Sequence, residues 1–279
     1  MKKLWASMAV NLGKRAPLVG VVVFLVTVLL GAGLTKLEFA TGQDSYLNDD
    51  DEIAIDNLAY QELFGGQAMV TLFTLDEGKT VVDLFTPENV AKMQAIEAEL
   101  AETEGVESVV TPLTALQFTQ NIVTTTPEGE VTEDPTASVA GIALLGARDR
   151  EAEGSPEAQA RLDDALTTVN RLGEIPADER TFENPAWIEF LVMSNQGDIR
   201  KALRPFFPSE GHAQLVTRLV GNADIETEGA AAEAIQEVVG AEEFDNATVV
   251  TTGAAVLLKD LNDYLKGGFL TLGGIAVVL

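Results

Sequence analysis

The sequence contains no cysteine, which excludes a disulfide scaffold, a thiolate metal site and a cysteine nucleophile. It contains one histidine, His212, so a multi-histidine metal site is excluded and a histidine-based triad has to run through that residue. Positive charge is scarce: 18 Lys and Arg stand against 44 Asp and Glu, a formal net charge of −26. Such a chain has little with which to neutralise a run of phosphates, which argues against nucleic acid as a partner. The same balance argues against electrostatic docking on anionic lipid. No G-x-S-x-G, Walker A, H-E-x-x-H or G-x-G-x-x-G pattern occurs. What the chain does have is length and apolar residues. Its 279 residues are 46% hydrophobic, enough for a real core in one large domain or two ordinary ones.

The apolar residues are concentrated at the two ends. From Pro17 to Leu34 no residue is charged, and at ~1.5 Å per residue such a helix nearly crosses a bilayer core. Lys2, Lys3, Lys14 and Arg15 precede it and no acidic residue appears before Glu38. Residues 1–16 therefore read as a cytoplasmic tail and residues 17–34 as a transmembrane helix. A cleaved signal peptide is the competing reading, but the run is long for one and Leu34-Thr35-Lys36-Leu37 lacks the small-residue cleavage pattern. Beyond this helix, residues 35–266 hold 14 basic and 44 acidic residues, a balance of −30, as in an exported ectodomain. After Lys266 come 13 uncharged residues, GGFLTLGGIAVVL. Residues 254–279 read as the approach to a second transmembrane helix and its first half; a core helix or strand is the alternative.

Between the ends the pattern is α+β. Asn48-Asp49-Asp50-Asp51-Glu52 precedes Ile53, Ile55, Leu58 and Leu63, then Gly65-Gly66, which predicts a helix from Asp51 to Phe64. Gln67–Leu75 predicts a strand. Thr86-Pro87-Glu88 starts a helix to about Glu102, and Val106–Thr111 predicts a second strand. The same order returns with a strand at His212–Val220, a helix at Ile225–Val239 and a strand at Ala247–Thr252. The expectation is an ectodomain over residues 35–253 holding two βαβ units in one ferredoxin-like sheet, both helices on one face. A mainly helical insertion spans about 112–209. It includes a mobile loop at Thr124–Thr136, helices at Glu157–Leu172 and from Asn184-Pro185 through Leu191, and a short helix after Gly197-Asp198 that ends at Pro205 and Pro208.

Individual residues offer little chemistry. The acidic cluster at 48–52 lacks the alternating ligands and distal Glu of a calcium loop, so it reads as a solvated helix start. His212 opens a strand with no nucleophile visible beside it in the sequence. Asn246-Ala247-Thr248 is a short sequon match that carries no weight. Gly31-Ala32-Gly33 lies inside the first apolar helix and reads as helix packing. Arg200, Lys201 and Arg204, beside Phe206-Phe207, form a basic cluster suited to an acidic partner or a lipid head group; the plainer reading is a solvated helix face. Lys259 and Asp263 are spaced as an i,i+4 pair, and with Asp260 and Tyr264 they mark a water–membrane boundary rather than a coupling path. No catalytic, cofactor-binding or metal residue is assigned.

The early helix followed by TGQDSYLNDDDEIAIDNLAYQELFGG resembles the N-terminal part of a resistance-nodulation-cell division (RND) transporter, nearest the MMPL-type or hopanoid-exporter-like branch. NQGDIRKALRPFFP, HAQLVTRLVGN and VVTTGAAVLLKDLNDYLKGGFLTLGGIAVV carry the same resemblance, the last block most specifically. The resemblance implies a proton-gradient-driven exporter of the inner (plasma) membrane, with lipidic or amphipathic substrates. It implies an exoplasmic porter domain between the first two helices. It also implies partners in the lipid bilayer, the remaining transmembrane helices and further copies of the chain. Proton-relay acids belong to later membrane helices, so none is placed here. A single-pass anchored ectodomain that binds or senses is the alternative, and an anchored hydrolase would need a nucleophile.

Overall fold

Alternating side chains set the register of a four-stranded sheet. The structure, a computed structural model, describes the backbone of residues 15–34, 48, 50–151 and 156–278. It describes their side chains except those of 30–34, 145, 147–151, 156–158, 161–162, 269–270 and 272–278. Lys2, Lys3, Lys14, Asp49 and the segment 35–47 lie outside the described residues. The chain divides into two compact units, residues 49–257 and residues 1–48 with 258–279.

In the larger unit the strands are β1 (Ala68–Leu75), β2 (Val106–Val110), β3 (His212–Leu219) and β4 (Ala247–Gly253). Their order across the sheet is β2-β3-β1-β4, and every neighbouring pair is antiparallel. Met69, Thr71, Phe73 and Leu75 alternate with Val70, Leu72 and Thr74 along β1, and only the first set is buried. In register with them on β3, Ala213, Leu215 and Thr217 are buried too. Thr71 and Thr251, paired across β1 and β4, join hydroxyls at 2.8 Å on this buried side. The alternate positions stay wetter, and Val250 on β4 is 64% exposed.

Two helices pack on the sheet. One is Pro87–Ala101 and the other Ile225–Gly240; they touch each other as well as β2 and β4 respectively. The first starts where Thr86 accepts a hydrogen bond from Asn89 N, with Pro87 at the first helical position. Met93, Ile96 and Leu100, at helical spacing, enter the core. The second starts at Asp224, whose carboxylate accepts from the amides of Glu226 and Thr227, and it buries Ala231, Ala232, Ile235 and Val239. Gly105 holds φ +84°, and a side chain there would press on Ala231. Only glycine meets both demands, so this turn lets β2 enter the sheet close beneath the second helix.

In chain order the nine α-helices among the described residues are α1 (Ala16–Leu34), α2 (Glu52–Phe64), α3 (Pro87–Ala101), α4 (Pro112–Thr124), α5 (Val139–Glu151), α6 (Pro156–Glu174), α7 (Pro185–Val192), α8 (Ile225–Gly240) and α9 (Ala254–Val278). The architecture is therefore α+β, and every α-helix between β2 and β3, from α4 to α7, lies in the expected insertion.

Several local expectations change. Asp51 caps α2 as its spacing implies, accepting from Ile53 N at 3.0 Å. Yet among its residues only Ala54 is buried, while Ile53, Ile55, Leu58, Tyr60, Leu63 and Phe64 are exposed. Apolar residues on all sides leave the helix no single inward face. The segment Thr124–Thr136 is not a loose loop. Thr125 bridges Val131, and backbone bonds run from Thr126 to Glu130 and from Thr132 to Thr124. The short helix expected after Asp198 shrinks to one 3₁₀ turn, Lys201–Leu203, because Ile199 pairs with Met193 in a bridge and Pro205 and Pro208 follow. Helices α4 and α5 lie in the expected helical insertion, at positions where the sequence pattern predicts no specific helix.

In the smaller unit α1 is an uncharged helix; Leu18, Val21, Phe24, Leu25 and Leu29 are exposed and Val19 is half-buried. Among the described residues no helix is long and apolar enough to cross a membrane; the described side chains of α1 stop at Leu29. Helix α9 follows β4 with no intervening residue, and Lys259 pairs with Asp263 at 2.7 Å as its spacing implies. Tyr264 on the same helix is 78% exposed.

Candidate ligand cavity

The helical insertion is tied together by helix starts that the local sequence dictates. Thr111 caps α4, accepting from Thr114 N at 3.0 Å, and Pro112 takes the first helical position. Asn184 does the same for α7 through Ala186 N, followed by Pro185. Helix α7 is short but almost wholly apolar, and Trp187, Ile188, Phe190, Leu191 and Val192 are all buried. The Trp187 indole N–H donates to Gln120 Oε1 at 2.9 Å, fastening α7 to α4. The Trp187 and Phe190 rings stack at 5.4 Å, 13° from parallel.

After α7 the chain reverses through Ser194–Asp198, with Ser194 N donating to Asp198 O and Gly197 at φ +85°. The reversal brings Arg200 back under the C-terminal end of α7. Its Nε donates to Leu191 O at 3.1 Å and its Nη2 to Phe190 O at 2.9 Å. These carbonyls lack partners within the helix, so a guanidinium is a natural cap for them. Arg200 and Arg171 both lie over the Phe190 ring, at 5.6 and 5.7 Å. Arg171, from α6, donates to Ser194 O and Asn195 Oδ1. Asp164, Thr168 and Arg171 share one face of α6 at helical spacing. Asp164 accepts from Asn195 Nδ2 at 3.0 Å and Gln196 Nε2 at 2.9 Å.

These charges are tuned by their surroundings. Burial, and then the neighbouring Arg171 charge, pull the Arg200 guanidinium below its ordinary value, while Asp164 opposes them. Amide donation from Gln196 and Asn195 holds the Asp164 carboxyl below the usual carboxylate range.

Above this polar floor lies a cavity of about 690 Å³. Thr119 and Val123 of α4, Ala140, Ala143 and Leu144 of α5, and Ala160 and Ala165 of α6 form its mostly apolar walls. Phe190 and Leu191 close it from α7, and Asp164, Thr168, Gln196 and Arg200 supply its polar groups. Its size falls within the ~300–1,000 Å³ typical of small-molecule sites. A second space of about 640 Å³ lies between the C-terminal end of α8 and β4, with Glu242, Glu243 and Phe244 on its wall.

The sequence-marked residues fare differently. Arg200 does not belong to a solvated helix face with Lys201 and Arg204. It is half-buried among carbonyls, and those two are exposed. His212 does have a hydroxyl beside it, which the sequence reading missed: Ser209 Oγ lies 2.7 Å from His212 Nδ1. The two residues also bridge through their backbones across one turn. Neither cavity includes them, and among the described residues no acid hydrogen-bonds the ring, so the pair closes a turn. The only cue was their i,i+3 spacing. Asn246 sits at φ +62° with its amide donating to Asp83 O, occupied as a strand-entry turn. Among the described residues no three His, Asp or Glu side chains are grouped to hold a metal ion. The cavity itself was not legible, because it needs four helices from a stretch in which two went unrecognised.

No protein-family model matches this chain, and no curated protein matches it.

Proposed function

We propose that the chain is the N-terminal part of a proton-gradient-driven membrane exporter of the RND/MMPL type, with the larger unit as its exoplasmic porter domain. The observation that carries this reading is α1. Its 19 residues hold no charge, and most of its described apolar side chains are exposed. A helix with apolar side chains on all sides needs an apolar surround. The acidic balance beyond it supports an exported domain. The sheet order and its antiparallel pairings support two interleaved βαβ units in a ferredoxin-like arrangement, with α3 and α8 covering one face. The exposed apolar residues of α2 support burial against a partner, either the rest of a transporter or another copy of the chain.

The decisive test is topology. A reporter fused near Glu157 is expected to be active only if its enzyme works in an exported compartment. Activity of a cytoplasm-dependent reporter there overturns the reading. A second measurement separates domain from pump. Transport requires a pathway and ionisable groups inside the membrane, and α1 has none of the latter. Vesicles containing this 279-residue chain alone are therefore expected to show no gradient-driven efflux above empty vesicles. Efflux above that background refutes the assignment of the proton relay to other helices.

The cavity favours a second reading: a membrane-anchored ectodomain that binds or senses a small molecule without transporting it. Saturable ligand binding with a complete coding sequence lacking further membrane helices would establish it over the exporter.

A further inference from the structure

The cavity among α4–α7 combines two features that rarely share a wall. Most of its surface is apolar, yet Arg200 lies on it with much of its side chain buried. Only part of that guanidinium is used. It has five N–H donors, and its protein partners are Phe190 O and Leu191 O. Among the described residues Nη1 has no partner, and Arg200 makes no ion pair. The acid on the same wall is already engaged: Asp164 is held by the amides of Asn195 and Gln196. Arg171 adds a second positive charge within reach of the same Phe190 ring. Locally, two guanidinium groups face one satisfied carboxylate. This positive end sits in a protein whose net charge is −26.

We propose that this cavity binds a single-chain amphiphile with an anionic head. The head pairs with the free side of the Arg200 guanidinium and the chain lies along Val123, Leu144 and Ala165. A planar guanidinium suits a carboxylate or phosphate, whose oxygens accept two parallel N–H bonds. The apolar walls bury the chain at about 25 cal/mol per Å². The site is selective for charge sign against the molecule's own field. The overall negative charge attracts cations from a distance, whereas the buried arginine discriminates at contact, where screening is weak. The proposal concerns what the domain binds and holds whether or not the chain belongs to an exporter.

Trp187 provides the readout, since it stacks on Phe190 at the cavity wall. The full chain carrying Trp5→Phe, in phosphatidylcholine nanodiscs, leaves Trp187 as the one tryptophan. Titration with 9,10-dibromostearate is expected to quench it saturably, because bromine quenches at short range. The matching dibromo-alcohol and dibromo-amine are expected to bind at least about tenfold more weakly, the scale of a charged hydrogen bond. Arg200→Gln is expected to remove the preference for the acid, and Arg200→Lys to restore part of it. Because Arg200 also caps α7, a second variant guards against misfolding. Ala143 is an exposed wall residue, and Ala143→Phe is expected to block quenching by all three probes while far-UV circular dichroism stays unchanged. Equal quenching by acid, alcohol and amine, a preference for the amine, or no saturable quenching each overturns the proposal.

Discussion

Asn89→Leu is expected to lower the stability of the larger unit by about 3 kcal/mol, although the substitution adds apolar bulk to a helix. Asn89 is fully buried in the first turn of α3. Its Nδ2 donates to Leu84 O and Asp245 O, both at 2.9 Å, and its Oδ1 accepts from Asp245 N at 2.9 Å. One side chain thus fastens α3 to the turn that delivers β4 to the sheet. Leucine abandons two carbonyls and one amide. The Leu84 carbonyl belongs to a fully buried residue, and stranding it costs roughly 1–3 kcal/mol. Asp245 is exposed, so water reaches its groups and each contributes about 1 kcal/mol or less. Leucine's better helix propensity returns only a few tenths. The assay is urea unfolding followed by Trp187 emission in the Trp5→Phe chain. Thr86→Ala serves as a scale, with an expected loss of about 1 kcal/mol for an N-cap alone. A loss for Asn89→Leu no greater than for Thr86→Ala refutes the idea that this amide joins distant segments energetically.

Acidification gives a second prediction. The Thr227 amide, then its hydroxyl, hold Asp224 below the usual carboxylate range. A group whose folded pKa is depressed contributes stability above its unfolded value, about 3.9, and loses it as pH falls through the folded value. The advantage of the wild-type chain over Asp224→Asn in thermal unfolding should be constant above about pH 5 and shrink below about pH 4; a gap independent of pH contradicts this. At Gly221 a side chain would meet the backbone carbonyl of Gln61 in α2. Gly221→Ala is therefore expected to cost roughly 1–3 kcal/mol through overpacking and to make α2 the first site of limited proteolysis; unchanged cleavage would show that α2 does not rest there. Trp187→Phe keeps a ring on Phe190 but strands Gln120 Oε1, with an expected loss of about 1–2 kcal/mol in urea unfolding; wild-type stability would mean that the α4–α7 link is energetically idle.

The elements that the sequence determined by itself are those whose signals are local. Thr86-Pro87, Asp224 and Asn184-Pro185 mark helix starts because a short polar side chain reaches an amide two or three residues away, a geometry independent of the rest of the chain. Strands β1 to β4 are legible from their apolar, β-prone runs, and α1 from an uninterrupted apolar stretch. Helix α4 has a Thr-Pro start at Thr111-Pro112, but Thr111 also ends the β-prone run Val106–Thr111; α4 packs on β2 and β3 as well as on α5 and α7, while α5 packs on α4 and α6. The tertiary structure alone decided which distant groups meet. Asn89 looks like part of a cap in the sequence, yet its side chain is spent on Asp245, more than 150 positions away. Arg200 looks like one of three solvated cations, yet a chain reversal at Gly197 turns it under α7. The sequence predicts a helix from Asp51 to Phe64, but only the fold shows that its apolar side chains stay exposed while the core cluster closes without them. Local spacing specifies what a segment can present, but the return path of the chain determines what stands opposite, and burial, pairing and cavities are properties of that opposition.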